Sequence, residues 1–397
     1  MRDARLADVL VIGGAAGTVI AHKLAERGRR VTLLTSGIEG ATDTNQKWLH
    51  SGLLYPSGRL AERAWSNRNL DWKIKRPYIR GPEQAYILAL TDKTISQRSE
   101  MWSSWSADSR EVPEAQPLQV SDRKKLASLG VRFKGGWKTP NCVLDFPALV
   151  RDMRLNISGR LRQNAHLPAP KVMGTVMEGA TVLRLRRGTT GIAGVDYEWK
   201  GGRGTLLCDQ CVLSAGAWSY ELLRNIDTDL PLIRKKCLVM AFKPTGRGPT
   251  RGVSFDRITV WLDVQKEDGT RADFTIVPFD RRLLAAGTDF RVVYQVGECA
   301  LENLRAGPSE IAALQREMEQ CFVDQRRRPF DSKAFDARTC FKTEQYNSAH
   351  PDVDIKVYTD KDGLLGKGHG VPGLIVAIPG KASLMFDLAR EASKHVR

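Results

Sequence analysis

The segment from Asp8 to Ser36, DVLVIGGAAGTVIAHKLAERGRRVTLLTS, gives the clearest indication of the fold. The apolar run from Val9 to Ile12 is typical of a buried parallel strand. Three glycines follow, and from Thr18 apolar residues recur at helical spacing until Gly28, a residue type that often ends a helix. Val31 to Leu34 predicts a second strand. The stretch therefore predicts a βαβ unit whose glycine-rich turn and helix N-terminus suit a dinucleotide pyrophosphate.

The glycine motif departs from the usual G-x-G-x-x-G spacing. Its six-residue window begins with Ile12 where the first glycine is expected, and continues through Gly13 and Gly14 to Gly17. The acidic residue that commonly binds the adenosine ribose is also absent, because Thr35 and Ser36 stand after the second strand. A hydroxyl still forms a hydrogen bond with ribose, but without the charge of a carboxylate.

Composition limits the class of protein. The chain has 397 residues, of which 42% are hydrophobic and 27% charged, so it has enough apolar material for two or three domains. No apolar run is long enough for a membrane span. The first residues, MRDARLA, lack the apolar segment of a signal peptide, so we expect a cytoplasmic protein.

The formal net charge is +16, and it bears on partners. The basic residues are spread through the chain in short groups such as LRLRRG, IRKK and RRR, without interleaved aromatic residues. This pattern does not favour nucleic acid. It leaves open a small anionic substrate, an acidic carrier protein, or simply a basic solvated surface, which is the plainest interpretation.

Seven cysteines are scattered along the chain, which favours reduced thiols. Cys208 and Cys211 form one C-x-x-C, without a second pair at zinc spacing. Strand alternation predicts that these two thiols lie on opposite faces. We therefore expect a structural role for them and no metal site.

The remaining chain predicts two kinds of sheet. Two strand-like runs within 171–200 are joined by a turn at 188–191, and alternating patterns dominate 230–293. A strand at 373–378, followed by a glycine turn and a helix, repeats the arrangement of the N-terminus. We predict an α/β fold (α+β overall). A Rossmann-like nucleotide-binding domain comprises 1–85, 143–228 and 335–397, and a mainly antiparallel-sheet substrate domain comprises 86–142 and 229–334.

Four segments, in this order, resemble the D-amino-acid oxidase-like flavoprotein superfamily. They are DVLVIGGAAG near the start, TNQKWLHSGLLY at 44–55, CVLSAGAWS at 211–219 and GLIVAIPGKASLMFDLA at 373–389. The superfamily includes glycine and sarcosine oxidases, glycerol-3-phosphate dehydrogenase and 2-hydroxyglutarate oxidases. The resemblance extends over nearly the whole chain.

The resemblance implies a bound FAD and a set of residues around it. The residues that it places along the cofactor are Gly13, Gly14, Gly17, Thr35, Ser36, Thr44, Asn45, His50, Val182, Ala215, Gly216, Trp218, Cys340, Gly380 and Lys381. Thr35 or Ser36 would face the ribose, and Gly380 and Lys381 would close over the flavin end.

Three residues are implied in the chemistry: His50, Tyr55 and Lys342. His50 matches an H-S-G segment beside the isoalloxazine ring, and an imidazole there suits a base or a covalent flavin anchor. Cys340, in TCFKTE, resembles the cysteine to which sarcosine oxidase attaches flavin, although a buried strand cysteine is the simpler interpretation. Lys342 lies two residues after Cys340, so it is expected on the same face of the strand, where its charge suits an anionic substrate. Arg281 and Arg282 are alternatives.

The resulting hypothesis is an FAD-dependent oxidoreductase. It takes a hydride from a C–H adjacent to the amine of a small, anionic amine or amino acid, and the flavin is reoxidised by O2 or another acceptor. Oxidation of a 2-hydroxy acid or a glycerol-phosphate-like substrate is the second hypothesis. A non-catalytic binding protein on the same fold is the third.

Overall fold

The computed structural model describes most of the chain. The described residues are 8–36, 47–49, 51–55, 57–81, 84–108, 114–140, 142–161, 166–226, 228, 230, 232–244, 259–265, 271–280, 282–287, 306–323, 330–345, 355–362, 370–379 and 384–397.

Helices and strands alternate at the N-terminus, and strands dominate the middle of the chain. The helices are α1 Ala15–Glu26, α2 Gly58–Asn69, α3 Trp72–Lys75, α4 Asp92–Asp108, α5 Val120–Ser128, α6 Phe146–Ile157, α7 Ser219–Arg224, α8 Pro308–Gln320 and α9 Met385–His395. The strands are β1 Val9–Gly13, β2 Val31–Thr35, β3 Trp48–Leu49, β4 Gln84–Ala89, β5 Gln116–Pro117, β6 Gly135–Pro140, β7 Cys142–Val143, β8 Thr175–Glu178, β9 Thr181–Arg187, β10 Ile192–Trp199, β11 Gly202–Leu207, β12 Cys211–Ser214, β13 Leu232–Pro244, β14 Thr259–Gln265, β15 Arg271–Phe279, β16 Arg282–Ala286, β17 Phe330–Gln345, β18 Lys356–Tyr358 and β19 Leu374–Ile378.

A six-stranded sheet in the order β18-β19-β12-β1-β2-β8 brings the two ends of the described chain together. β12 pairs in parallel with β1 on one side and with β19 on the other. Helices α1, α6 and α9 cover one face of this sheet, and their apolar side chains form one core with it. Because both faces of β1 are covered, all five of its residues are buried, which explains its uninterrupted apolar sequence.

A separate three-stranded sheet packs against the other face of the six-stranded sheet. β9 and β10 pair in antiparallel fashion across the predicted turn at 188–191, and β11 follows β10. Leu185, Ile192 and Val195 of this sheet share a core with Leu10 and Leu213. The predicted pair of strand-like runs is therefore a hairpin, preceded by β8 in the larger sheet.

The second large sheet has eight strands in the order β17-β13-β16-β15-β14-β4-β6-β5. Its pairs are antiparallel except for β4 with β14. β17 pairs with β13 from Gln345 back to Phe330. The division into domains stays a prediction.

The two faces of the eight-stranded sheet have different neighbours. Leu238, Met240 and Phe242 of β13 pack on the outer face with residues of α5 and α8. The inner face is defined by a row of directly opposed residues that crosses five strands: Val239, Ala286, Thr275, Trp261 and Ile87. Trp261 and Ile87 share an apolar cluster with Trp48 and Leu53, so this face lies against β3 and the segment that follows it.

The C-x-x-C prediction is wrong in one respect. Cys208 follows β11, Cys211 begins β12, and a turn at 209–210 separates them, so they do not alternate along one strand. The two thiols are instead hydrogen-bonded neighbours. That hydrogen bond, together with burial, raises the pKa of Cys211. Burial disfavours the Cys211 thiolate, and both cysteines are shielded from solvent, because Cys208 and Cys211 are 2% and 0% exposed.

The helical segment that follows the first βαβ unit is interrupted. α2 ends at Asn69, and Asp71 adopts a left-handed conformation with φ of 54° before α3 begins. The side chain of Lys75 folds back to the interruption and donates hydrogen bonds to the carbonyl oxygens of Asn67 and Leu70. The buried Lys75 therefore satisfies the carbonyl groups at the end of α2.

Lys75 also connects α2 to α9. Its ammonium lies 4.3 Å from the ring centroid of Phe386, and the Asp387 backbone N–H donates to the Asn67 side chain over 2.9 Å. Arg63 and Arg390 both pair with the Asp387 carboxylate.

In the described part of the chain, no helix has the length and apolar character required to cross a membrane.

Burial lowers the pKa of Lys75 to about 7, although nearby Asp71 opposes this shift. In the unfolded chain the same amine keeps a pKa of about 10.4. The unfolded state therefore binds more protons between these values, and the stability contribution of this group rises with pH from about 7 to 10.

We expect wild type, relative to Lys75→Met, to gain stability by up to ~1.4 kcal/mol per pH unit across that window. Urea unfolding of both proteins at several pH values gives the difference, in which other titrating groups cancel. Parallel pH curves for the two proteins would contradict the assignment.

Candidate functional site

A cleft of about 260 Å³ opens at the carboxyl ends of β1 and β12, where the sheet meets the hairpin of β9 and β10. Such a position is typical of ligand sites in open α/β sheets. The lining residues are Ile12, Gly13, Gly14, Ala15, Ala16, Leu34, Ser36, Ala180, Thr181, Val182, Leu183, Ser214, Ala215, Gly216, Ala217, Trp218, Glu221, Leu222 and Pro379. Of the residues predicted to bind the cofactor, Gly13, Gly14, Ser36, Val182, Ala215, Gly216 and Trp218 are in this lining.

The N-terminus of α1 faces the cleft through Gly14. Gly14 makes no side-chain cap, and the first turn of α1 has no acidic residue, so its backbone N–H groups and partial positive charge are suited to an anion. A Cβ at Gly14 would meet nothing within 4 Å, which leaves this side of the turn open.

Gly13 and Gly17 allow neighbouring elements to pack closely and do not make room for a ligand. A Cβ at Gly13 would lie 2.3 Å from the Ser214 carbonyl oxygen, so only glycine lets β1 and β12 approach this closely. Gly17 is buried within α1, and a Cβ there would meet Ile12 and Val11 at ordinary contact distances. Gly17 does not line the cleft.

The end of β12 places a polar group at the cleft. Ser214 is 3% exposed, and its hydroxyl has no hydrogen-bond partner among the described residues. A buried hydroxyl without a partner is costly unless a ligand or water satisfies it. Gly216 then turns the chain with φ of +57°, and a Cβ at this residue would meet nothing within 4 Å. The sequence identified Gly216 but missed Ser214.

Thr35 and Ser36 have different roles at the end of β2. The Thr35 side chain is 2% exposed and accepts a hydrogen bond from the Arg154 guanidinium over 3.2 Å. Arg154, on α6, also donates to the Thr18 hydroxyl over 3.1 Å. Ser36 lines the cleft, and its predicted contact with the ribose stays a prediction. Arg154 was missed because 119 residues separate it from Thr35.

The segment after β3 is held firmly where it is described. Ser51 and Thr139 share a hydrogen bond of 2.9 Å, and the Trp102 indole donates to the Leu53 carbonyl over 3.1 Å. Tyr55 is 4% exposed and packs in the core that contains α1, so it does not line the cleft. Its predicted catalytic role stays a prediction.

Six of the predicted site residues lie outside the described residues: Thr44, Asn45, His50, Arg281, Gly380 and Lys381.

Cys340 and Lys342 are placed by the backbone of β17. Their register partners on β13 are Cys237 and Lys235, two residues apart on the same strand and therefore on one face. This is the inner face, because Val239 follows Cys237 at the same spacing. β17 also packs against the turn Gly216–Trp218, which lines the cleft. The inner face and the cleft therefore meet at β17.

The cleft fits FAD on several independent features. It combines a helix N-terminus without a side-chain cap for the pyrophosphate, an open glycine turn, a buried hydroxyl that no described residue satisfies, and an apolar wall. A family model described as FAD dependent oxidoreductase, DAO, matches residues 8–382.

The chain belongs to the DAO family of FAD-dependent oxidoreductases. It is an enzyme of this class rather than a non-catalytic protein on the same fold, and its cofactor is FAD. The predicted fold class, with an FAD-binding fold and a substrate domain, is confirmed.

Solved structures share this fold over nearly their whole length. Glycine oxidase from Geobacillus kaustophilus aligns with a TM-score of 0.69 and 17% identity, covering 98% of this chain and 94% of that one. L-α-glycerophosphate oxidase from Mycoplasma pneumoniae, solved with FAD bound, aligns with a TM-score of 0.72 and 14% identity, covering 98% and 94%. NikD, an amino acid oxidase of nikkomycin biosynthesis, aligns with a TM-score of 0.68 and 17% identity, covering 98% of this chain and 93% of NikD. No curated protein matches the sequence.

Alanine at Gly13 and at Gly14 separates packing from cofactor binding. We expect Gly13→Ala to destabilise the FAD-free protein by at least ~2 kcal/mol, because its Cβ overlaps the Ser214 carbonyl. We expect Gly14→Ala to cost less than ~1 kcal/mol in the FAD-free protein but to weaken FAD binding, because its Cβ enters the open turn.

Urea unfolding of the FAD-free proteins and titration with FAD measure the two effects separately. Normal FAD affinity in Gly14→Ala would contradict the placement of the pyrophosphate at this turn. A stable Gly13→Ala protein would contradict the close approach of β1 and β12.

Proposed function

We propose that this enzyme oxidises a C–H adjacent to the nitrogen of a small anionic amine or amino acid. The observation that supports an anionic substrate most directly is the register pair of Lys235 and Lys342 on the inner face. Two like charges directly opposed on neighbouring strands are unfavourable by themselves. An anionic group between them removes this repulsion.

The surroundings of the pair suit a small molecule. The same face continues through Val239, Ala286 and Thr275 to Trp261, so small and apolar residues border the cationic end. Thr275 already donates its hydroxyl to the Ala286 carbonyl over 3.3 Å. A substrate with one charged end and a short carbon skeleton matches this arrangement.

Bound FAD supplies the acceptor for the hydride. The protein residues then have three tasks: Lys235 and Lys342 orient the anionic end, the apolar row excludes water, and the segment after β3 supplies a base. His50 is our candidate for that base, because it directly follows Trp48 and Leu49, and Trp48 packs in a cluster with the inner-face residue Trp261.

An amino-acid-like substrate has further support. TCFKTE, which includes Lys342, resembles the corresponding segment of sarcosine oxidase. Glycine oxidase and NikD are both among the structural neighbours, and both are named as oxidases of amino acids. These similarities favour nitrogen-containing substrates.

A glycerol-phosphate-like substrate is the second candidate. Paired lysines act as point charges, which suits a phosphate as well as a carboxylate, whereas an arginine binds a carboxylate through two parallel hydrogen bonds. The LHSGLLY segment favours the same alternative. The two candidates therefore differ in the atom next to the oxidised carbon, and both require an anionic end.

Flavin bleaching without oxygen distinguishes them. The purified holoenzyme is mixed with glycine, N-methyl amino acids, D- and L-amino acids, 2-hydroxy acids, glycerol 3-phosphate and the uncharged amides of the acids in parallel. We expect bleaching by an amino-acid-like compound. Bleaching by glycerol 3-phosphate or a 2-hydroxy acid alone would establish the second candidate, and bleaching only by the uncharged compounds would overturn both.

Lys235→Met and Lys342→Met test the anion site. Each is expected to raise KM for the anionic substrate at least about tenfold, because a charge-assisted hydrogen bond is lost. KM for an uncharged ester or amide of the same substrate should change little. Lys200→Met is the matched control, since Lys200 lies in the exposed turn between β10 and β11. Equal effects on charged and uncharged substrates would contradict an electrostatic role.

A further inference from the structure

We propose that Cys237 and Cys340 are the two partners of a reversible disulfide that links β13 to β17. Their backbones are directly opposed in the antiparallel ladder, so the two residues share the inner face. The inference concerns residues of the chain itself and does not depend on the identity of the substrate.

The geometry of the ladder meets the main requirement of a disulfide. Directly opposed residues of antiparallel strands have Cα atoms about 4.5 or 5.5 Å apart, according to the type of pair. Both values fall within the range of about 4.4–6.8 Å found for disulfides. The pairing is continuous from Leu232 with Gln345 to Phe242 with Phe335, so the register that aligns the cysteines is fixed on both sides.

Cationic residues occupy the neighbouring register positions. Lys235 and Lys342 are the next residues on the same face in one direction, and Arg338 is the next on β17 in the other. Asp336, one position further, pairs with Arg338 over 3.0 Å and offsets part of that charge. Nearby cations stabilise a thiolate, which is the nucleophile in thiol oxidation.

Cys208 and Cys211 are another pair of adjacent cysteines in the same chain. Burial does not distinguish the two pairs, because Cys237 is 4% exposed and Cys208 and Cys211 are 2% and 0% exposed. The difference lies in the surroundings, since Cys208 and Cys211 belong to an apolar core and the pKa of Cys211 is raised. We therefore expect this second pair to resist oxidation, which makes it the internal control.

Hydrogen peroxide, a small hydroperoxide, is a sufficient oxidant. One thiolate attacks the O–O bond; a sulfenic acid forms, and hydroxide leaves and takes up a proton to become water. The second thiolate attacks that sulfur, the S–S bond forms and the S–O bond breaks, with a second water as product. In sum, two thiols and one peroxide give a disulfide and two waters, and two electrons pass from sulfur to oxygen.

A disulfide at this position has a consequence for the flavin. Cys340 is also the residue that resembles a covalent flavin anchor, and one sulfur atom cannot hold both bonds. Disulfide formation and flavin attachment at Cys340 are therefore mutually exclusive. Holoenzyme in which FAD is bound without a bond to Cys340 is therefore the form in which we expect the disulfide.

The test uses purified holoenzyme treated with hydrogen peroxide, then unfolded in an alkylating agent and digested without reduction. We expect two fewer alkylated cysteines than in untreated protein and a cross-linked peptide that joins Cys237 to Cys340. Dithiothreitol should restore both thiols. Cys208→Ser should behave like wild type, whereas Cys237→Ser and Cys340→Ser should form no such cross-link.

The peptide map of the wild type decides the question even if a variant fails to fold. Full alkylation of both cysteines after peroxide would overturn the proposal, as would separate sulfinic acids without a cross-link. A flavin-linked Cys340 peptide in the untreated protein would also overturn it, because no thiol would then remain. These readouts are independent of activity, so failure of the proposed substrate class would not affect them.

Discussion

The close approach of Gly13 to the Ser214 carbonyl is the contact on which the site depends. It allows β1 to pair with β12, and β12 in turn pairs with β19, so the two ends of the described chain share one sheet. The same approach aligns the N-terminus of α1 with the turn at Gly216, and the cleft opens between them. A side chain at Gly13 would separate both the strands and the two walls of the cofactor site.

The sequence predicted those parts of the fold that depend on local pattern. The apolar run of β1, the glycine turn and the spacing of α1 are sufficient for the βαβ unit, because a buried parallel strand requires an uninterrupted apolar sequence. The turn at 188–191 likewise predicted the β9–β10 hairpin. The pairing of both chain ends followed from the repetition of a strand, a turn and a helix.

The remaining parts depend on contacts between distant residues. Strand alternation predicts that the side chains of Thr35 and Ser36 lie on opposite faces. Which of the two faces the cleft depends on Arg154 of α6, which forms a hydrogen bond with Thr35. Cys208 and Cys211 become neighbours because a turn replaces the expected strand. Lys75 is buried because α2 ends at Asn69 and the Lys75 side chain folds back onto the carbonyl groups at that end. No local pattern contains this information.

The order of strands in the six-stranded sheet also constrains how the protein is made. β19 and α9 are synthesised after β1, α1 and β12, yet β19 completes the sheet next to β12, and α9 packs on α1. Until the chain between β12 and β19 has been made, one edge of β12 is unpaired and one apolar side of α1 is uncovered. We therefore expect stable binding of the dinucleotide only after β19 and α9 have packed in place, and an unpaired strand edge in the nascent chain favours aggregation until then.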